Sequence, residues 1–230
     1  MAMRPAAPTK QSGRPCVELM TRLGTGHTMM QHVPLRTLAA EPTVMGMPQT
    51  ADRWTAEQVR ALPDDRFRHE VVDGELLMTP APSWRHQEAI ATLYRHLGDW
   101  LRSHPIGHAV FAPADIELDP HTLVEPDLFV VPYSGGPKPG SWEEVGSLLL
   151  VVEVLSPSSA RADRIIKLER YRRADVPEYW IIDLDGRVIE RWRRGEVRPE
   201  IVSTHLQWIP RADAAFELDV ASYFQEVWGE

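Results

Sequence analysis

From Ser83 onward the apolar positions Ile90, Leu93, Leu97, Trp100 and Leu101 recur at helical spacing until His104-Pro105 stops them, which predicts the longest helix of the chain. A shorter helix is signalled upstream by Thr55-Ala56-Glu57-Gln58, an N-cap with glutamine at the capping-box position, and should run to Leu62 before Pro63 ends it. Between the two helices, Phe67 to Val72 and Glu75 to Thr79 flank Asp73-Gly74, a pair that supplies the positive φ angles of a two-residue hairpin turn. Glu70 falls on the first of these strands. Downstream, Ala109 to Phe111, the alternating Asp115 to Leu118, a turn at Asp119-Pro120 and the run Val124 to Val131 read as strands. Pro126 has no ladder donor, so it belongs at the start of its strand or on an edge.

Tyr133 to Ser147 is rich in Gly and Pro and reads as a loop. Leu148 to Leu155 (LLLVVEVL) shows no alternation for a wet side, the pattern of a strand buried on both faces. Ser156-Pro157-Ser158-Ser159 then turns the chain into a helix from about Ala160 to Ala174. Glu178 to Asp183, a turn at Asp185-Gly186 and Arg187 to Trp192 form a second Asp-Gly hairpin, followed by a strand near Val197 to Ser203 and a closing helix from Val220 to Trp228. The order of elements predicts an α/β fold with no internal repeat.

Residues 1–50 break this pattern. They hold scattered Pro and Gly and Met1, Met3, Met20, Met29, Met30, Met45 and Met47, with no sustained period, and read as a disordered N-terminal extension in which Met45 or Met47 is an alternative start. Residues 51–230 then form one globular domain, since 230 residues at 43% hydrophobic suit a single core better than two. One cysteine, Cys16, excludes an internal disulfide framework and the usual zinc cages. No apolar run approaches the roughly 18 residues of a membrane span. With no signal-peptide pattern, the expectation is a soluble cytoplasmic protein without a membrane partner. A formal net charge of −8 argues against non-specific coating of nucleic acid. It leaves room for a local basic surface, because Arg161, Arg164, Lys167, Arg170, Arg172 and Arg173 crowd one segment against only Asp163 and Glu169.

Glu153 is the residue that carries chemistry. An ionised carboxylate inside a doubly buried strand costs several kcal/mol unless it is paired, neutralised or bound to a metal. Asp127 lies on the other short apolar strand, and adjacent strands would bring both acids to one hard cation if they share a face. On the following helix Asp163, Lys167 and Tyr171 fall at i, i+4 and i+8, so Lys167 could position a water or stabilise charge on a phosphate. The plainer alternative for Asp163 and Lys167 is an ordinary ion pair. His86, His96 and His104 lack the i, i+4 spacing of a helical metal site and read as surface or core histidines.

The series Pro126-Asp127, Val151-Val152-Glu153-Val154-Leu155-Ser156-Pro157-Ser158, Asp163, Lys167, Tyr171 and Glu178-Tyr179-Trp180-Ile181-Ile182-Asp183 resembles the Uma-two family of the PD-(D/E)xK nuclease superfamily. Leu62-Pro63-Asp64, Glu70 to Leu76 and His86-Gln87 agree with its N-terminal half, so the resemblance runs from about residue 54 to 192. It implies a restriction-endonuclease-like core, a central mixed β-sheet flanked by helices, and magnesium-dependent cleavage of DNA with manganese as a possible substitute. Asp127 and Glu153 would be magnesium ligands, joined by a backbone carbonyl near Val154 and by Glu70 as an additional ligand. Leu155 stands where the superfamily lysine normally stands, and Lys167 is the natural substitute. A homodimer is implied for cutting both strands. Two further readings compete: a catalytically inactive nuclease-fold module that binds nucleic acid or a protein partner, and a structural α/β domain in which Glu153 is merely paired. Because the composition breaks near residue 50, removal of residues 1–44 is expected to leave the domain folded. The thermal midpoint of that truncation should stay within a few degrees of the full chain, equivalent to about 1 kcal/mol or less.

Overall fold

The computed structural model describes residues 53–133, 135 and 138–230, so the expected disordered extension and its alternative starts lie outside the described residues. Helix α1 (Ala56–Arg60) opens on the expected capping box, with Thr55 accepting from the Gln58 amide and Gln58 accepting from the Thr55 amide. It stops short of the expected Leu62, a residue that Pro63 disfavours in the helical region. Strands β1 (Phe67–Val72) and β2 (Glu75–Pro80) form the expected hairpin, with Asp73 at φ 50° and Gly74 at φ 85°. Helix α2 (Trp84–Ser103) is capped by Ser83, whose hydroxyl accepts from the His86 amide.

Then come β3 (Gly107–Phe111), β4 (Ile116–Asp119), β5 (Thr122–Val124) and β6 (Leu128–Pro132). The single strand expected from Val124 to Val131 is therefore two. At Pro126 the ladder lapses, and the Glu125 amide turns to a Glu70 oxygen at 2.8 Å. The chain leaves one sheet and enters another at this point. Strand β7 (Leu150–Val154) is buried throughout, as its sequence demanded. The helix after it departs from expectation: Ala162–Lys167 is π-helical before α3 (Leu168–Arg173) continues in regular form.

Strands β8 (Glu178–Asp183) and β9 (Val188–Arg193) pair as a hairpin, but the positive φ falls on Arg187 and not on Gly186. Asp183 accepts from the Gly186 amide and makes a longer turn than the Asp-Gly pair alone suggested. Strand β10 (Glu200–Val202) is shorter than expected. A hairpin of β11 (His205–Arg211) and β12 (Ala214–Asp219) was not anticipated, although Leu206, Trp208, Phe216 and Leu218 alternate with polar neighbours. Helix α4 (Val220–Trp228) closes the chain within its expected bounds, capped by Asp219.

The strands assemble into a mixed six-stranded sheet, β10-β9-β8-β7-β6-β3, and an antiparallel four-stranded sheet, β2-β1-β5-β4. Among the described strands only β7 and β8 run parallel, and the chain between them is the crossover helix. Side chains alternate across the larger sheet. Val130, Val152 and Trp180 face α2, α4 and the β11–β12 hairpin, where Leu93, Leu97, Trp208 and Tyr223 fill the core. Phe129, Val151 and Ile181 face Leu168 and Tyr171 of α3 and Val72, Ile116 and Val124 of the smaller sheet. A central mixed sheet flanked by helices is thus the observed architecture.

Trp208 shows how far the unanticipated hairpin belongs to the core: it is buried with its ring 6.2 Å from Trp180 and 5.7 Å from Trp100. Trp208→Ala should cost about 3–5 kcal/mol in denaturant unfolding. A cost under about 1 kcal/mol would mean that the hairpin folds apart from the sheet.

Candidate active site

Three structural facts bring the acids together. Leu128 pairs with Val152 in the antiparallel register of β6 on β7, so the preceding residue on one strand, Asp127, stands opposite the following residue on the other, Glu153. Both point to the face occupied by Phe129 and Val151, because side chains alternate with period two. The Asp127 amide reaches a Glu153 oxygen at 3.4 Å. Glu70 enters from β1, where its carboxylate also receives the Glu125 amide at the passage between sheets.

Lys167 is enclosed by the acids. Its Nζ lies 2.8 Å from Glu70, 3.0 Å from Glu153 and 3.5 Å from Asp163, and all four groups are buried. Tyr171, one turn on, donates its hydroxyl to Glu153 at 3.1 Å. The expected side of the helix carrying Asp163, Lys167 and Tyr171 is therefore real, and it faces the sheet. Asp127 has its own set of donors: Arg68 at 2.8 Å on Oδ1, the Val154 amide at 2.8 Å on Oδ2, and His86 Nε2 at 3.1 Å from Oδ2. With hydrogen on Nε2, His86 donates to Asp127 and its Nδ1 is left buried without a partner.

Arg68, Glu125 and the role of His86 were missed. His86 carried a readable signal, since it shares the i, i+4, i+7 stripe with Ile90, Leu93 and Leu97 and so had to face inward. Arg68 alternates with Glu70 on β1 and shares its face, but an arginine on a strand gives no sign of which acid it will find. His96 lies on the surface, as expected, against Glu226.

The environments push the acids apart. Burial works against the charge on Asp127, yet the His86 hydrogen bond, Arg68 and the Val154 amide outweigh it and hold this carboxyl below the usual range. Burial raises Glu153 well above that range; Lys167 opposes the rise, and Asp127, Asp163 and Glu70 add to it. Asp163 is also raised, chiefly by burial against the pull of Lys167. Burial disfavours the Lys167 ammonium, but Glu153, Glu70 and Asp163 together keep it protonated.

Whether these residues suit a divalent cation can be judged from charge and donor type. Glu70, Asp127, Glu153 and Asp163 are buried carboxylates beside the cations Lys167 and Arg68, so with all four ionised the acids exceed these cations by two. Oxygen donors with that surplus suit a hard divalent ion. Among the described residues, no three His, Cys, Asp or Glu side chains are placed to hold a metal ion together, and Lys167 stands where Glu70, Glu153 and Asp163 converge. The Val154 amide is on Asp127, and Val154 is placed beside both acids at the end of β7.

An open groove of about 1200 Å³ runs past this cluster. Asp127, Glu125 and His86 line it, while Glu153 and Lys167 lie behind its floor. Leu155, Ser156 and Arg164 also line it, with Arg164 held by Asp183 and Glu190.

A mixed sheet with an opposed acid pair at its passage to a second sheet places this chain in the restriction-endonuclease-like fold. The crystal structure of "a putative nuclease belonging to DUF820 from Anabaena variabilis ATCC 29413" matches it with a TM-score of 0.63 at 15% identity, over 76% of this chain and 99% of that one, a likeness of fold. The chain belongs to the Uma2 family, described as "Putative restriction endonuclease", whose model matches residues 56–221. No curated protein matches it.

Glu125 gives a titration that can be measured. Burial raises its carboxyl from 4.5 to about 7, with Arg68 opposing and Glu70 and Asp115 adding to the rise. Below the lower value the acid is protonated in both folded and unfolded states. Between 4.5 and about 7 the unfolded chain releases the proton first, so stability falls as pH rises, and above that window the loss is complete. In chelator, Glu125→Gln should therefore melt close to the parent at about pH 4.5 and increasingly above it toward about pH 8. A difference that is flat with pH would show that Glu125 titrates normally.

Proposed function

We propose that this chain is a magnesium-dependent endonuclease that hydrolyses phosphodiester bonds of DNA, with manganese as a substitute ion. The observation that supports this most directly is the register of β6 on β7, which sets Asp127 against Glu153 on one face beside an open groove, with Lys167 on Glu153. Asp127 and Glu153 would hold the ion, with Glu70 and the Val154 carbonyl as further oxygen donors. The ion supplies charge neutralisation and Lewis-acid polarisation of a phosphate.

The remaining work falls to the side chains. Arg68, His86 and the Val154 amide keep Asp127 ionised and fix its orientation, so a carboxylate and not a carboxylic acid lines the groove. Lys167 is restrained by its carboxylate partners and stays protonated, which makes it a fixed positive charge. As water attacks phosphorus and the bond to the leaving oxygen breaks, that charge offsets the negative charge that builds on the phosphate oxygens. Lys167 thereby takes the place of the lysine that Leu155 replaces.

A second reading is favoured by one observation: Glu153 and Lys167 do not line the groove, and Leu155 does. On that reading the chain is a nuclease-fold module that binds without cutting.

Incubation of the full chain with plasmid and linear DNA, in magnesium, in manganese and in chelator, separates the two. Cleavage is expected with either ion and none in chelator, with loss of activity in both Glu153→Gln and Lys167→Ala. Saturating magnesium at about 100 times its dissociation constant should stabilise the parent by roughly 2.7 kcal/mol and Glu153→Gln by much less. Without metal, Glu153→Gln should melt no lower than the parent, because it removes one of the surplus negative charges and leaves Lys167 with Glu70 and Asp163. Binding of DNA with no cleavage under any of these conditions establishes the module reading instead.

A further inference from the structure

Phe67 and Phe111 both line the groove and remain 46% and 49% exposed, although each terminates a strand whose other residues are better covered. Phe67 lies across the hairpin from Pro80, and the Phe111 ring stands edge-on to Tyr94 at 4.9 Å. Neither ring is needed for the core. Apolar rings left open in a groove that holds a charged cluster suggest a ligand with flat apolar faces and a charged backbone.

Charge narrows the class. Four arginines line the groove, but Arg68 is held by Asp127 and Arg164 by Asp183 and Glu190. Arg66 and Arg85 form no ion pair among the described residues, and Arg85 lies 3.7 Å over the Trp228 ring. Two guanidiniums on a chain of net charge −8 are a thin basis for gripping a duplex by its phosphates, an interaction that grows with the number of cations engaged. Ring faces offer a different source of affinity. It is open only to bases whose own faces are free, because in a duplex the neighbouring bases occupy them.

We propose that the groove binds an unpaired strand of DNA, with bases stacking on Phe67 and Phe111 and phosphates on Arg66 and Arg85, so that the substrate is single-stranded DNA or a single-stranded segment of a duplex. This rests on the reading of the groove as the nucleic-acid face of a nuclease. The strand passes Asp127 on its way between the two rings' walls, which brings a phosphate to the acids while the bases are held away from them.

The test is fluorescence anisotropy with the full chain in chelator, using a labelled single-stranded oligodeoxynucleotide and a blunt duplex of the same sequence. The single strand should bind at least about tenfold more tightly. Phe67→Leu and Phe111→Leu keep apolar bulk at half-exposed positions and remove only the ring, so the fold should survive, as a thermal melt will check. Each should weaken single-strand binding by about five- to a hundredfold, while Phe67→Trp retains it. The logarithm of affinity should fall with the logarithm of salt at a slope near roughly −1.4, about −0.7 for each of two phosphates. Equal or tighter binding of the duplex, or leucine variants that bind like the parent, overturns the proposal. Because no divalent ion is present, this outcome is independent of cleavage: a protein that cuts DNA without strand preference defeats the stacking alone. One that stacks single strands and cuts nothing upholds it and defeats the nuclease reading.

Discussion

One buried ammonium decides the arrangement around it. Lys167 is 1% exposed, and without Glu70, Glu153 and Asp163 it could not remain charged there. Conversely, three carboxylates so close together could not remain ionised without it. Each acid arrives on a different element, so β1, β7 and the π-helical stretch must all meet at a single point. The balance is incomplete, since Asp127 and Arg68 form a second pair beside the first and the acids still outnumber the cations. Such a cluster contributes little net stability compared with an apolar filling.

The two faces of the large sheet divide the labour. On one side, Trp180, Trp208, Phe216 and Tyr223 pack into a dry core, and the Tyr223 hydroxyl ties α4 to the Ala89 carbonyl of α2. On the other, the same strands alternate apolar residues with the acids. The first face keeps β6, β7 and β8 from sliding, and a one-residue slip would swing Asp127 and Glu153 into the wrong layer. The packing of the far side therefore fixes the geometry of the near side.

Much of this was legible in the order of residues, for reasons that can be named. Glu153 announced itself because it interrupts a run with no wet side, whereas its sharing a face with Asp127 depends on the register of β6 on β7, which the sequence left open. The helix face bearing Asp163, Lys167 and Tyr171 followed from spacing. The division of Val124–Val131 did not, because an apolar run looks continuous whether or not a proline lets the chain pass to a second sheet. The π-helical stretch is equally silent: Ala162–Lys167 has ordinary helix-forming composition, and nothing in it marks the wider turn that carries the buried Asp163 and Lys167. The β11–β12 hairpin could have been read from its alternation, which short polar interruptions obscured. Arg68 and Glu125 become site residues only through tertiary contacts.

The passage of the chain from β5 to β6 has a consequence for synthesis. Glu70 lies on one side of that passage, Asp127 immediately after it, and Lys167 comes only after β7 has followed. The contacts of Lys167 with Glu70 and Glu153 and of Asp127 with Glu153 join parts of the chain that are far apart in sequence, so these cannot form by local folding. A nascent chain that has not yet emerged as far as Lys167 holds Glu70 and Glu153 without the ammonium they share. The cluster is thus incomplete until β2, α2 and β3 to β7 have followed the first acid and Lys167 itself has been made, and a truncated or half-made copy carries no assembled centre.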